Sequence, residues 1–256
     1  MAAGSMGDNP PRQRYPFTPM STLEGKTIYI TGATRGIGRA LALCLARDKA
    51  RLALCGRDGA ALAAVRGEAA RLSGSEPFAR SFDLAHEAPI LDFYSEARKA
   101  LGPPDILVNN AGFNPRKAPL WDLGTAEFDS IISVNLRAAF LLMREAFKDM
   151  KAKGGGHIVN VLSTVCHFHN EGMGAYTAAK AGLQGLTGVF RKEARPHGIR
   201  VTAVYPGGVD TAFRASPRPD YLRPESVAEA IRAVLVLPQD LVVHDLTFRP
   251  MVESNF

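Results

Sequence analysis

The sequence predicts an α/β protein built as one domain, a doubly wound, parallel, seven-stranded sheet with helices on both faces. Three observations predict it. From Leu23 onward, short β-branched runs alternate with longer stretches of helical periodicity, and no repeat or low-complexity segment interrupts them. The first strand-like run passes through a glycine-rich turn straight into a helix. Hydrophobic residues make up 46% of the 256, enough to fill a large core and to exclude a disordered chain. Alternating β and α segments, joined by right-handed crossovers, produce a parallel sheet covered on both sides. Such sheets reach about 250 residues as a single unit.

In order, Lys26–Thr31 reads as the first strand, Ile37–Lys49 as a helix and Arg51–Cys55 as a strand. Asp58–Leu72 is Ala-rich and helical, Phe78–Asp83 extended, Pro89–Leu101 helical and Asp105–Asn109 a strand. A loop of Gly, Asn and Pro runs on to Gly124. One long helix is expected over Ala126–Lys151, ended by Gly154–Gly156. His157–Leu162 is a strand, Ala175–Ala194 a helix, Ile199–Val204 a strand, Pro224–Leu235 a helix and Val242–Phe248 the last strand. Residues 1–22, rich in Gly, Pro, Arg and Ser, are expected to form a flexible extension to the single domain at 23–256.

The net charge of +6 raises nucleic acid as a partner, but the 31 basic residues are interleaved with 25 acidic ones. No run of five Lys/Arg and no zinc-finger or basic-helix pattern accompanies them, so no nucleic-acid role is expected. Cys44, Cys55 and Cys166 are scattered and odd in number, which fits reduced thiols in a cytoplasmic protein. The opening residues lack an apolar signal core, and no run of eighteen apolar residues occurs, so no membrane segment is expected.

The turn reads Thr31-Gly32-Ala33-Thr34-Arg35-Gly36-Ile37-Gly38. Glycines let a backbone approach a pyrophosphate, and a helix N-terminus offers free N–H groups and a positive dipole end. Between a strand and a helix, Gly32, Thr34, Gly36, Ile37 and Gly38 are therefore placed at a dinucleotide, in a Rossmann-type arrangement. An NAD site would carry an acid at the tip of the second strand, whereas this chain has Gly56-Arg57 there. Arg57 can pair with a ribose 2′-phosphate and stack on adenine, and Arg35 can supply a second cation. Either arginine alone fits a solvated surface as well. Together with the missing acid they point to NADP(H) in preference to NAD(H).

The strand His157–Leu162 delivers Ser163 to its carboxyl end, and Tyr176-Thr177-Ala178-Ala179-Lys180 follows thirteen residues later. Tyr and Lys at i and i+4 share a helix face. A free phenol, with a pKa of about 10, is a poor base near neutrality, and an adjacent ammonium favours its phenolate. Tyr176 can then give a proton to an alkoxide or take one from an alcohol.

With these motifs the chain resembles the single-domain short-chain dehydrogenases/reductases over about Leu23 to Phe248. The resemblance rests on Thr31–Gly38, Asn109-Asn110-Ala111-Gly112, Asn135, Ser163, Tyr176/Lys180 and Pro206-Gly207. It implies an oxidoreductase moving hydride between NADP(H) and a small ketone, aldehyde or secondary alcohol. Tyr176 would be the acid/base, Lys180 would hold the nicotinamide ribose and tune the Tyr, and Ser163 would orient the carbonyl. Asn135 would support a water-linked proton relay. The resemblance further implies that Asp83 and Leu84 flank the adenine and that Asn110, Ala111 and Gly112 line the cofactor. Pro206, Gly207, Val209 and Thr211 would grip the nicotinamide.

The last strand lacks the Asp-Gly-Gly of many ketoacyl reductases and looks more like the tail of short-chain hydroxy-acid or alcohol dehydrogenases. The segment from Thr211 to Pro224 is short for a substrate lid. Ser163, Tyr176, His169 and Phe213 are expected to line the substrate pocket. No metal site is expected, because Cys166, His167 and His169 lack further ligands at complementary spacing; they are either solvated or part of the pocket wall. Trp121 either closes the other wall with Phe113 and Asn114 or packs as core. Phe128, Ile131, Ile132, Leu136, Phe140 and Met143 form a stripe on the long helix, core for the most part and interface for the rest. Pairing of this helix and Ala175–Ala194 in relatives implies a homodimer or homotetramer. A catalytically inactive dinucleotide-binding regulator and a nucleotide-sugar epimerase are the competing readings; the first predicts damage to the Ser/Tyr/Lys set and the second a different glycine spacing.

Overall fold

β-Branched and apolar runs flanked by Gly, Asp and Pro form strands here, and Ala- and Leu-rich segments form the helices between them. The computed structural model describes residues 21–213 and 216–253. Chain order gives β1 (Thr27–Thr31), α1 (Gly36–Arg47), β2 (Arg51–Gly56), α2 (Gly59–Ser73), β3 (Phe78–Ser81), α3 (Glu87–Leu101) and β4 (Ile106–Asn109). There follow α4 (Thr125–Ile132), α5 (Ala138–Lys153), β5 (Gly156–Val161), α6 (Val165–Phe168) and α7 (Gly174–Ala194). β6 (Ile199–Pro206), α8 (Pro224–Leu235) and β7 (Asp245–Phe248) complete the order.

The strands lie side by side as β3-β2-β1-β4-β5-β6-β7 in one seven-stranded sheet, and every pairing is parallel. The chain steps outward from β1 to β3 and then returns to β4, so the order reverses between β1 and β4. A crevice at the carboxyl ends of the strands is the consequence of such a reversal.

Alternate residues of each strand face opposite layers. Ile28 and Ile30 of β1 pack with Leu52, Leu54 and Val108 against α1, α2 and α8. Tyr29, Ala53, Cys55, Leu107 and Ile158 pack with α3, α5 and α7 on the other side. Burial on both faces is why β1, Thr-Ile-Tyr-Ile-Thr, does not alternate apolar and charged residues and is buried throughout. His157, which opens the β5 core, is buried and kept neutral, its pKa pushed down to about 3 by burial, with Nε2 2.9 Å from Thr202 Oγ1.

Several expectations are corrected. The single helix over Ala126–Lys151 is broken by a π-helical turn at Ser133–Arg137 between α4 and α5. The side chain of Asn135 causes it: Nδ2 donates to the Ile131 carbonyl at 2.9 Å, the partner a backbone N–H takes in a regular α-helix. The last strand begins at Asp245 rather than Val242, because β6 pairs with β7 only from Ala203 onward and Leu241 and Val242 are exposed. α3 starts at Glu87, two residues before Pro89, which the first turn of a helix accommodates because its N–H groups have no intrahelical partner. Trp121 is not core: it is 86% exposed on a 3₁₀ turn, Leu120–Asp122. The short α6 inside the loop after β5 was not expected at all.

Of the extension expected over residues 1–22, residues 1–20 lie outside the described ones. Ser21 is tied down, its N–H donating to the Val236 carbonyl at 2.8 Å. Among the described residues, no helix is long and apolar enough to cross a membrane.

Candidate active site

The turn between β1 and α1 is shaped by close backbone approach. Gly32 has φ of +68° and packs on Ala111, and a Cβ on Gly38 would overlap the Gly32 carbonyl oxygen. Asn110 holds the turn from behind, with Nδ2 donating to the Thr31 carbonyl at 2.9 Å. The Thr31 hydroxyl accepts the Asn110 and Ala111 N–H groups at 3.1 and 3.0 Å. Helix α1 then starts at Gly36 with no side-chain cap at Arg35 and no acid in its first turn. Its N-terminal N–H groups and dipole therefore favour an anion at the mouth of the crevice.

At the β2 side, Gly56 packs beneath Thr34 and Arg57 is exposed. The Arg57 backbone is fixed by the Ser81 hydroxyl, which donates to its carbonyl at 3.0 Å. Its guanidinium reaches over the crevice to the Phe113 ring, 5.4 Å from the centroid. Asp83 forms a tight turn after β3 by accepting the Ala85 N–H at 2.9 Å, and Leu84 is buried beside it.

β5, α6 and α7 build the end of the crevice where Ser163, Tyr176 and Lys180 stand. Tyr176 and Lys180 are both buried on the inner face of α7, at 7% and 2% exposure. Lys180 Nζ lies 5.7 Å from the Tyr176 ring centroid and donates to the Val161 carbonyl, at the end of β5, at 2.9 Å. Burial pushes the Lys180 pKa down to about 8, so at neutral pH the group stays mostly cationic. Ser163 stands half-buried just past β5, its Oγ accepting the Val165 N–H at 3.3 Å. Phe213 covers Tyr176, with ring centroids 5.5 Å apart, and its edge reaches Gly112.

Asn135 acts as a clamp. Its Oδ1 accepts the Phe113 N–H at 3.1 Å and its Nδ2 donates to the Phe113 carbonyl at 2.7 Å, besides the bond to Ile131. The side-chain amide is thus occupied in holding the loop after β4.

His167 and His169 are exposed, and His169 sits in the left-handed region at φ 48°. Cys166 is buried, and burial raises its thiol pKa despite the neighbouring Lys180 cation. Among the described residues no three His, Cys, Asp or Glu side chains converge in a manner that could hold a metal.

The loop after β6 completes the site. Pro206, Gly208 and Val209 are buried and Thr211 leans on Gly36, closing the crevice opposite the glycine turn. Sequence reasoning missed what lies behind this loop, namely Tyr221, Arg249 and Glu253. The one signal that could have found them was the i, i+4 spacing of Arg249 and Glu253 after the last strand.

Residues 26–222 match the family profile described as short chain dehydrogenase. An uncharacterized oxidoreductase of Staphylococcus aureus (strain USA300) is 30% identical over 235 residues, 91% of this chain and 100% of that protein. Among solved structures, an alcohol dehydrogenase of the archaeon Thermococcus sibiricus, complexed with 5-hydroxy-NADP, is similar with a TM-score of 0.84 and 30% identity. That likeness covers 90% of this chain and 99% of the archaeal one. A metagenomic short-chain oxidoreductase in complex with NADP is similar with a TM-score of 0.81 and 34% identity, over 91% and 100% of the two chains.

Proposed function

The chain belongs to the short-chain dehydrogenase/reductase family, oxidoreductases acting on CH–OH and C=O groups, and from that premise we propose a reversible NADP(H)-dependent reaction on a small ketone, aldehyde or secondary alcohol. The observation that carries it is the buried Lys180 ammonium held beside the Tyr176 ring by the Val161 carbonyl. The residues present fit a dinucleotide: a glycine cradle that a Cβ would fill, an uncapped helix N-terminus, and a cation in place of an acid after β2. When bound, the coenzyme supplies or accepts the hydride.

The protein's own residues do the rest. The Tyr176 hydroxyl gives a proton to the oxygen of the reduced carbonyl, or removes it from an alcohol. The Lys180 cation stabilises the phenolate left behind and, through its bond to Val161, keeps its distance from the ring fixed. Ser163 donates to the carbonyl oxygen, which accumulates charge as the reaction proceeds. Phe213 and His169 form the outer wall, with Phe213 excluding water from the Tyr176 face. A hydroxy-acid or ketoacyl substrate fits this chemistry. A panel of carbonyls and alcohols, followed by nicotinamide absorbance with both coenzymes, tests the reading; no turnover of any member with either coenzyme would overturn it.

Arg57→Ala is expected to lower kcat/KM with NADPH roughly tenfold or more, the loss of a charge-assisted phosphate contact, and to change NADH-linked turnover by less than about twofold. Steady-state kinetics with each coenzyme measures the ratio. An unchanged ratio would place 2′-phosphate recognition elsewhere.

We further propose a homodimer or homotetramer. The stripe on α4 and α5 divides: Ile131 and Met143 are 1% and 2% exposed, whereas Phe128 and Phe140 are 38% and 43% exposed. Leu186 and Val189 of α7 add exposures of 37% and 56%. Apolar side chains of this size, left on helices whose opposite faces are core, suit a symmetric helix-on-helix contact. Light scattering is expected to give a multiple of 27.5 kDa, and Phe140→Glu to shift it toward the monomer. A wild-type monomer would refute the assembly. Three buried thiols outside any disulfide fit a reducing compartment such as the cytoplasm.

A further inference from the structure

The loop Pro206–Val209 is tied on every side. The Thr164 N–H donates to the Pro206 carbonyl at 3.1 Å, the Gly207 N–H to the Phe248 carbonyl at 2.8 Å, and the Leu222 N–H to the Gly208 carbonyl at 3.1 Å. All three are backbone contacts. The Gly208 N–H is different: it donates to Oε1 of Glu253, a side chain 45 positions later, at 3.0 Å.

Glu253 is itself oriented. Arg249 Nε donates to its other oxygen at 2.8 Å, and the two side chains are only 8% and 15% exposed. The Arg249 guanidinium lies 4.3 Å over the ring of Phe168, on α6 directly after Ser163. One buried ion pair therefore joins the loop after β6, the wall after β5 and the segment following β7. The fit leaves no slack. A Cβ on Gly207 would come within 2.6 Å of Glu253 Oε2, and one on Gly208 would overlap the Tyr221 ring.

We propose that Glu253 is a positioning residue for the nicotinamide end of the site. Held by Arg249, its carboxylate fixes the Gly208 peptide and so presets the Gly207–Val209 backbone. This rests on the reading that this loop grips the nicotinamide. A carboxylate accepting a backbone N–H is a strong, directional contact, and a buried partner left alone is costly. The adenosine half of the coenzyme would be held on the β2 side, at Arg57, and would not be served by this contact.

The full-length protein is titrated with NADPH and with adenosine 2′,5′-bisphosphate, which occupies the adenosine half alone. Glu253→Ala is expected to raise the Kd for NADPH about tenfold and to leave the bisphosphate within about twofold. Glu253→Gln, whose carbonyl oxygen still accepts the Gly208 N–H but whose amide nitrogen cannot accept from Arg249, is expected to recover part of the loss. Unchanged NADPH binding in Glu253→Ala, or an equal loss for both ligands, would overturn the inference. Should Glu253→Ala not fold, Arg249→Lys takes its place, with a several-fold loss for NADPH alone expected and equal losses overturning. Wild-type protein that binds neither ligand would remove the coenzyme reading and this inference with it. Where the wild type binds both, a failure of the Glu253 variants to behave as expected counts against the positioning role alone.

Discussion

Tyr176→Phe is expected to lower kcat by about 10³-fold with the best carbonyl substrate while leaving the Kd for NADPH within about twofold. Proton transfer by a positioned side chain contributes about 10²–10⁴-fold, and the substitution removes only that group. The ring itself stays where it is. Its contacts with Phe213 at 5.5 Å and with Lys180 at 5.7 Å involve the aromatic face and need no hydroxyl. Volume is conserved in a residue that is 7% exposed, so no cavity forms. Nicotinamide absorbance measures the rate and fluorescence titration the affinity. A loss smaller than about tenfold would show that another group carries the proton. Equal losses in rate and affinity would show that the hydroxyl serves binding and not chemistry.

What could be read from the sequence follows the range of the interactions involved. The glycine turn is a short-range feature: a strand, three glycines and a helix within one stretch require no distant partner to be recognised. Tyr176 and Lys180 are likewise local, because four residues of helix bring them to one face. The alternation of strands and helices predicted the parallel sheet for the same reason. Several of the features that escaped prediction depend on long-range contacts. At the π turn Ser133–Arg137, the Asn135 side chain that takes the Ile131 carbonyl is also held by Phe113, 22 positions away. Glu253 matters only because Gly208, far back in the chain, lies against it. Whether Trp121 is core or surface depends on where the 3₁₀ turn carries it, and periodicity does not reach into that loop. The edge strand β7 starts late because its single neighbour, β6, pairs with it only from Ala203 although β6 runs back to Ile199, which the composition of β7 does not reveal.

Lys180→Met is expected to abolish turnover, by about 10² to 10³-fold, and at the same time to make the protein more stable at neutral pH. The two effects share one cause. A fully buried ammonium has lost its hydration, and a single carbonyl bond to Val161 replaces it only in part. Burial lowers the pKa from 10.5 to about 8 in the folded protein. The unfolded chain therefore binds more protons than the folded one between these values, and wild-type stability rises with pH across that window. Below about pH 8 the cost is fully present; above about 10.5 it is relieved. A shift of this size corresponds to up to about 3 kcal/mol, from which leaving the Val161 carbonyl unpaired in the Met variant subtracts about 1–2. The net gain is a few degrees in Tm at pH 7 for a chain of this length. The gap to wild type should then close and reverse as the pH is raised from 8 to 10.5, because the neutral amine still donates to the Val161 carbonyl, provided both proteins are compared under identical salt and concentration. Melting curves across that range measure it. A Met variant that is less stable than wild type at pH 7 would mean that the ammonium is compensated in the folded protein. The Tyr176 phenol would then have to be activated without a strained cation at its side.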